Sequence, residues 1–101
     1  MKHLKIYEKY NNLPILGDYV VVYCESMNGK FNDFINNNIG KLNNYGRITD
    51  LAWVEYFNIP EELKKHFDDD KYAILNTNTI KYFSSDKKNV EAYLKAQKFN
   101  I

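Results

Sequence analysis

Few side chains in this sequence have the chemistry of a catalytic nucleophile or base. Cys24 is its one cysteine, and the two histidines, His3 and His66, lie far from it along the chain. A cysteine nucleophile needs a base within hydrogen-bonding distance, and a thiol buried among apolar side chains stays protonated and unreactive. The sequence also lacks a phosphate-binding glycine loop, a nucleophile elbow and a paired-histidine motif. We therefore expect Cys24 to be a packed core residue in a protein that is not an enzyme.

The segment HFDDDK groups residues of types that bind metals, since His66 precedes Asp68, Asp69 and Asp70. Oxygen ligands suit hard cations such as Ca²⁺, but calcium loops space their ligands around a glycine that this segment lacks. The alternatives are a solvated acidic loop and a contact patch for a basic partner. We expect an acidic loop, with no metal site and no cofactor.

Aromatic residues beside charged ones are the clearest sign of a binding surface. In LAWVEYF, strand alternation would direct Ala52 and Val54 inward, and Trp53 and Glu55 outward. An outward tryptophan is typical of residues that anchor a protein partner. The alternative is that Trp53, with two tyrosines of the first strand, is the platform on which the C-terminal helix packs. The candidate partner surface comprises Trp53, Tyr19, Tyr23, Glu55, Lys41 and Arg47.

The elements that must position these residues are short. Tyr19–Cys24 is rich in valine and tyrosine and predicts a strand with two apolar faces, which must be covered on both sides. Phe31, Phe34 and Ile35 predict a short helix, which should end at the following asparagines because asparagine tolerates the left-handed conformation. Further strands are predicted at Ile39–Leu42, Leu51–Phe57, Lys71–Leu75 and Thr79–Phe83, a loop at Asn43–Asp50, and a last helix at Lys87–Phe99.

The segment NIPEEL is the strongest local helix signal. Asn58 is a suitable N-cap, proline at position 60 is tolerated in a first turn, and Glu61 has the capping-box spacing from Asn58. We expect a helix of about two turns that ends before the three aspartates.

Composition limits the class of protein. The 101 residues, 45% of them apolar, suit a single domain over the whole chain. A net charge of +1 excludes a strongly basic nucleic-acid or membrane-surface protein. One cysteine suits a reducing compartment, Met1–Tyr10 lacks the apolar run of a signal peptide, and no apolar run approaches the ~20 residues that cross a bilayer. We expect a soluble, cytoplasmic protein with no membrane partner.

The pattern of short strands resembles an SH3-like barrel. The stretch GDYVVV from Gly17, followed by IGKL from Ile39, is similar to Tudor and KOW-type members of that group. The resemblance implies an α+β, β-rich fold in which a five-stranded SH3-like barrel with short helices spans residues 16–83. An N-terminal arm would occupy residues 1–15, and a C-terminal helix over residues 86–99 would pack on the sheet.

A narrower resemblance involves the stretches GDYVVVY, NNNIGKL, VEYFNIPEEL and KAQKFNI. They are similar to small uncharacterised proteins of AT-rich phages and related viruses. This implies a phage accessory protein located in the host cytoplasm. It implies no particular activity, because barrels of this type serve many unrelated functions.

Together these features predict a non-catalytic protein-binding module. Its partner would be a host factor, a defence protein or a virion component, so that the protein acts on a host or defence protein or as a small structural or assembly component. The alternative is a KOW/Tudor-type nucleic-acid-binding module that uses Lys41, Arg47 and lysines of the last helix. We favour a protein partner because only Lys30, Lys41 and Arg47 are basic around the first loops. An exposed sheet edge is also suited to pairing two copies of the chain.

Overall fold

The described part of the chain forms an antiparallel sheet with α-helices on both of its faces. The computed structural model describes residues 13–25, 29–46 and 49–99, so that Arg47 and most of the expected N-terminal arm lie outside the described residues. The strands are β1 (Tyr19–Val22), β2 (Gly40–Tyr45), β3 (Leu51–Glu55), β4 (Tyr72–Asn76) and β5 (Ile80–Ser84). The helices are α1 (Gly29–Asn37), α2 (Lys87–Phe99) and two 3₁₀ helices, Glu61–His66 and Thr77–Thr79.

The strand order in the sheet is β4-β3-β2-β1-β5, and each neighbouring pair is antiparallel. The first four strands form a meander, and β5 returns to the free side of β1. Among the described strands β4 and β5 are the two edges, and no pairing between them closes the sheet into a barrel. The predicted α+β class with five strands and a C-terminal helix is therefore confirmed at this coarser level.

β1 is buried on both faces, as its sequence predicted. Val20 and Val22 are almost fully buried in the main core, together with Cys24 beyond the strand end. Val21 points to the other face and is only 5% exposed. On that face α2 packs on β1 and β5, and its Val90 is fully buried. A strand that is apolar on both sides thus lies between two helical layers.

The main core lies on the face of the sheet that α1 covers. Phe31 and Ile35 of α1 are buried in it. Asn36 fastens the helix to the end of β1, since its Oδ1 accepts the Cys24 N–H at 2.6 Å and its Nδ2 donates to the Cys24 carbonyl at 3.0 Å. The other buried members of this core are Val20, Val22, Leu42, Ala52, Val54, Tyr56, Leu63, Phe67, Ala73 and Leu75.

α1 ends at the predicted asparagines, but by a different mechanism. The side-chain amides of Asn37 and Asn38 donate hydrogen bonds of 2.8 Å to the carbonyls of Asp33 and Phe34. These bonds tie the two asparagine side chains back to carbonyls of the last helical turns, four residues earlier in the chain. Within the described ranges, positive φ occurs at Asn58, Asp69, Asp70 and Gly17 and at none of the asparagines that end α1, so the predicted left-handed asparagine is wrong for α1.

The predicted capping box at Asn58 is also wrong. Asn58 adopts a left-handed conformation with φ of 57°, which turns the chain after β3 and is incompatible with the extended backbone of an N-cap. Pro60 is the N-cap instead, and no side chain caps the helix. The result is a 3₁₀ helix rather than an α-helix, with an ion pair of 2.8 Å between Lys64 and Glu61.

β2 extends further than predicted, into the segment that we expected to be a loop. It continues to Tyr45, with an irregular register between Leu42 and Asn44. Asn43 is the extra residue at this bulge, which keeps the strand paired although its alternation is interrupted. Asparagine is uncommon in strands, so the two consecutive asparagines led us to predict a loop where β2 continues.

Gly40 provides the first testable prediction, because β2 passes very close to β3 at this position. A Cβ at residue 40 would lie 2.8 Å from Tyr56 Cζ and still closer to Val54 Cγ1. We expect Gly40→Ala to lower the free energy of unfolding by about 1–3 kcal/mol, as overpacking does. Urea denaturation measures this. The control Gly29→Ala meets no atom within 4 Å and should not lower stability; equal midpoints for the two variants would contradict the prediction.

Tyr56 provides a pH-dependent prediction. Its hydroxyl is buried with no hydrogen-bond partner within the described structure. Burial, with a smaller contribution from Cys24, raises the pKa of this phenol far above the usual value of about 10. Above about pH 10 the unfolded state therefore loses this proton while the folded state keeps it, and stability falls as pH rises.

We expect Tyr56→Phe to be neutral or stabilising by about 1 kcal/mol at pH 8, since it removes a buried unpaired hydroxyl. It should also lose less stability than the unmodified chain between pH 9 and about pH 11, when urea midpoints are compared. Tyr23→Phe, at an exposed tyrosine, is the matched control. A steep alkaline loss that persists in Tyr56→Phe would count against this assignment.

Candidate functional site

A row of five opposed residues crosses the sheet on the face opposite the main core. In register, Tyr72 of β4 is opposite Glu55 of β3, Glu55 is opposite Lys41 of β2, Lys41 is opposite Tyr19 of β1, and Tyr19 is opposite Ser84 of β5. Directly opposed residues in antiparallel strands direct their side chains to the same face. The row therefore brings three of the predicted site residues, Tyr19, Lys41 and Glu55, next to one another.

Trp53 lies in the adjacent row of the same face. It is opposite Ile74 of β4 on one side and Asn44 of β2 on the other. Its neighbours in sequence, Ala52 and Val54, are fully buried in the core, so the predicted outward direction of Trp53 is confirmed. Trp53 is half-buried and Ile74 is 45% exposed. We call the surface formed by Tyr19, Lys41, Trp53, Glu55, Tyr72 and Ile74 the open face.

The open face combines aromatic rings with charges of both signs. The Lys41 ammonium lies 5.7 Å from the centroid of the Tyr19 ring, and that of Lys87 lies 6.0 Å from the same centroid. Lys71 is placed similarly over Tyr72, at 5.3 Å. Such cation–π contacts contribute about 0.5–1 kcal/mol each at exposed sites, and they hold the rings in position. Glu55 supplies a negative charge between the two lysine-bearing ends.

The C-terminal helix covers only one end of this sheet face. α2 packs on β1 and β5, and its Tyr93 stacks on Tyr82 of β5 with centroids 4.5 Å apart. Trp53 is on β3, two strands away from β1. The platform of the helix is therefore formed by β1 and β5, and Trp53 lies on the part of the sheet beyond it.

Tyr23 does not belong to the open face. It follows β1 at the end opposite Tyr19, about 13 Å away along the strand direction. Its N–H donates to the Thr79 carbonyl at 2.9 Å, and its side chain is 52% exposed. The structure thus brings together four of the six predicted residues; Tyr23 is separate, and Arg47 is outside the described residues.

Sequence reasoning missed two members of the open face, Tyr72 and Ile74. The alternation in YAILN contained the signal, since Ala73 and Leu75 are buried while Tyr72 and Ile74, which alternate with them, face outward. Placing Ile74 beside Trp53 also required the register between β3 and β4, which the sequence does not contain.

Neither a metal-ligand cluster nor the thiol of Cys24 forms part of the open face. Within residues 13–25, 29–46 and 49–99, no three or more histidine, cysteine, aspartate or glutamate side chains are close enough to hold a metal ion. Cys24 is 4% exposed and is in the core. Asp68 and Tyr72 instead close a tight turn by mutual backbone hydrogen bonds of 2.7 and 2.9 Å. None of the described helices is both long and apolar enough to cross a membrane.

No protein-family model, curated protein or solved structure matches this chain.

The opposed charges of Lys41 and Glu55 provide a prediction about the open face. Glu55→Lys places like charges directly opposite each other, and we expect the free energy of unfolding to fall by about 0.2–1 kcal/mol. The double variant Lys41→Glu, Glu55→Lys should regain most of this loss. Both effects should shrink with added salt, because exposed charges are screened.

Urea denaturation at low and high salt measures these differences. Glu25→Lys makes the same change of charge at an exposed residue outside the strands and is the matched control. A double variant no more stable than Glu55→Lys would show that the two side chains do not interact.

Proposed function

We propose that this chain is a non-catalytic protein-binding module whose open face docks on another protein. The observation that carries the proposal is the pairing of Trp53 with the exposed Ile74 on a sheet surface that α2 leaves uncovered. Tryptophan is among the residues that dominate binding energy when they are buried at the centre of an interface. The apolar pair is therefore suited to be the anchor.

The charged residues of the open face suit the rim of such an interface. Lys41 and Glu55 adjoin the anchor and remain partly accessible to solvent. Rim charges contribute to orientation and association rate more than to affinity, because they stay hydrated. A partner with apolar side chains facing Trp53 and complementary charges around them would match this pattern.

For the finer fold we propose an SH3-like sheet that is curved but open. Three features support the resemblance seen in the sequence. Gly17 precedes β1, Gly40 opens β2, and the short 3₁₀ helix Thr77–Thr79 joins the last two strands. The return of β5 to the side of β1 is also consistent with a sheet that curls towards its own beginning.

The partner that we propose follows from the resemblance to phage proteins. An accessory protein in the host cytoplasm would act on a host factor or a defence protein, or would join the virion as a small structural or assembly component. A binder of host proteins would form a tight complex with one factor, whereas a structural component would be found in purified particles.

A second candidate is a nucleic-acid-binding module, and one observation favours it. The ammonium groups of Lys41 and Lys87 both lie within about 6 Å of the Tyr19 ring, a combination of stacking surface and positive charge. Against this, Glu55 lies directly opposite Lys41 and would repel a phosphate. Nucleic-acid binding would weaken steeply with rising salt, because phosphate contacts release counterions.

Affinity capture with tagged variants tests the proposal. The unmodified chain, Trp53→Ala and Tyr23→Ala are each incubated with host lysate, with and without nuclease. Tyr23→Ala removes an aromatic side chain that is more exposed than Trp53 and lies away from the open face, so it controls for nonspecific aromatic contacts. We expect a protein that the unmodified chain and Tyr23→Ala retain after nuclease, and that Trp53→Ala loses by tenfold or more.

Two results would overturn this assignment. If Trp53→Ala retains the same proteins while it remains folded by circular dichroism, the open face is not the anchor. If capture disappears after nuclease treatment and Lys41→Glu abolishes it, the nucleic-acid function replaces the protein-binding one.

A further inference from the structure

The outer edge of β4 leaves one residue with both backbone groups unpaired. The hydrogen bonds Tyr56 N–H to Lys71 carbonyl and Thr77 N–H to Asp50 carbonyl mark the positions where β3 and β4 bond each other. Because bonding alternates along an antiparallel pair, the N–H and carbonyl of Ile74 must point away from β3. In the described structure neither group has a hydrogen-bond partner. The middle of this edge can therefore bond an added strand.

A neighbouring strand begins at this edge but does not continue. Asp68 pairs with Tyr72 as an isolated antiparallel bridge, using both backbone groups of Tyr72 that point outward. The residues before Asp68 belong to the 3₁₀ helix that ends at His66 and do not continue this pairing. The edge next to Ile74 is therefore open. A cavity of about 210 Å³ occupies this place, lined among others by Phe31, Leu75, Asp68 and Thr79. We call it the edge cavity.

The edge and the edge cavity together define how an extended segment would bind. A strand that pairs with Ile74 directs alternate side chains to opposite faces of the sheet. On the core side, one side chain would enter the edge cavity against Phe31 and Leu75. On the other side, its neighbours would lie beside Ile74 and extend the open face. Backbone bonds would supply affinity, and the cavity would select the side chain.

A second copy of this chain does not fit this place. If two β4 strands paired across a two-fold axis, the core-facing side chains at the joint would be Ala73 and Leu75. Both are buried in their own core, at 1% and 6% exposure, so neither can fill the edge cavity of the other copy. The occupant must have an apolar side chain that is not buried in its own core. Flexible or extended segments have such side chains.

Charge at the cavity indicates what flanks that apolar side chain. Asp68 lines the cavity, and Asp69 and Asp70 follow it in the exposed turn. A lysine or arginine placed next to the apolar residue would be attracted by these carboxylates, whereas an acidic residue there would be repelled.

We propose that the β4 edge binds an extended segment of a partner protein, which pairs with Ile74, inserts one apolar side chain into the edge cavity and places a basic residue beside Asp68. This inference rests on the proposed protein-binding function and specifies the chemistry of the partner.

Blocked heptapeptides of alternating valine and threonine, with lysine at one end, are the probes for this site. We expect saturable changes of the Ile74 amide resonance in ¹H–¹⁵N spectra and at least fivefold slower hydrogen exchange of that amide on binding. The same peptides with N-methylated valines cannot complete the strand pairing and should bind at least tenfold more weakly. Peptides with glutamate in place of lysine should also bind more weakly, and Asp68→Asn should reduce that difference.

Two variants of the chain isolate the backbone contribution. Ile74→Pro removes the outward N–H, which is tolerated on an edge strand, while Ile74→Thr loses the same side chain and keeps the N–H. We expect only Ile74→Pro to lose binding. If the proline variant does not fold, the N-methylated peptides still decide the question. Equal binding by methylated and unmethylated peptides, or no change at the Ile74 amide with any peptide, would overturn the inference.

The capture experiment separates this inference from the proposed function. If the peptides do not bind the edge but Trp53→Ala still loses a captured protein, the edge inference fails and the open-face function stands. If the peptides bind at Ile74 and capture does not depend on Trp53, the proposed anchor fails and the edge site stands.

Discussion

The rest of the fold depends on one constraint, which is that β1 is buried on both faces and paired with a strand on each side. All four of its residues pair with β5 on one side, and Tyr19 and Val20 also pair with β2 on the other. Val20 and Val22 need cover on one face and Val21 on the other, so the chain must place a helix on each side. α1 and the first 3₁₀ helix meet the first need and α2 meets the second. Gly40 fits the same constraint, because β2 can approach the core beside Val20 only without a side chain there.

The position of α2 explains why a binding surface remains. Its 13 residues span about 20 Å, and they lie over β1 and the β5 edge, where Val21 has to be covered. β3 and β4 are on the other side of the sheet's centre. None of the described helices covers the outward side chains of β3 and β4, so these side chains are only partly buried. Trp53 lies opposite Ile74 and is half-buried, while Lys41 and Glu55 add charges to the adjacent row.

Local patterns predicted the elements well where a single segment contains the whole signal. The two apolar faces of β1 and the spacing of Phe31 and Ile35 led to correct elements. The bounds of α2 are those predicted, because Asp86 accepts the Lys88 N–H and caps the helix. The outward direction of Trp53 followed in the same way from alternation with buried neighbours.

Where the outcome depended on another part of the chain, prediction from sequence failed. Asn58 had the capping-box spacing, but the turn after β3 requires its left-handed conformation. The asparagines of β2 looked like a loop because the bulge opposite β3 is a property of the pair. Alternation grouped Tyr23 with Tyr19, but the two residues are at opposite ends of β1. Ile74 became part of the candidate surface only through its register with Trp53.

The edge of β4 shows how the fold limits pairing to one place. Open edges invite unwanted association, and proteins usually protect them. Here the Asp68 backbone occupies both outward groups of Tyr72, and the Thr79 hydroxyl donates to the Asn76 carbonyl at 2.6 Å. Protection at both ends leaves only the backbone of Ile74 open on this edge. One residue can form one pair of backbone hydrogen bonds with an added strand, but it cannot support a long additional strand. Because the side chain of Ile74 also adjoins Trp53, a strand held at this edge would contact the open face as well, and the two surfaces would act on one partner.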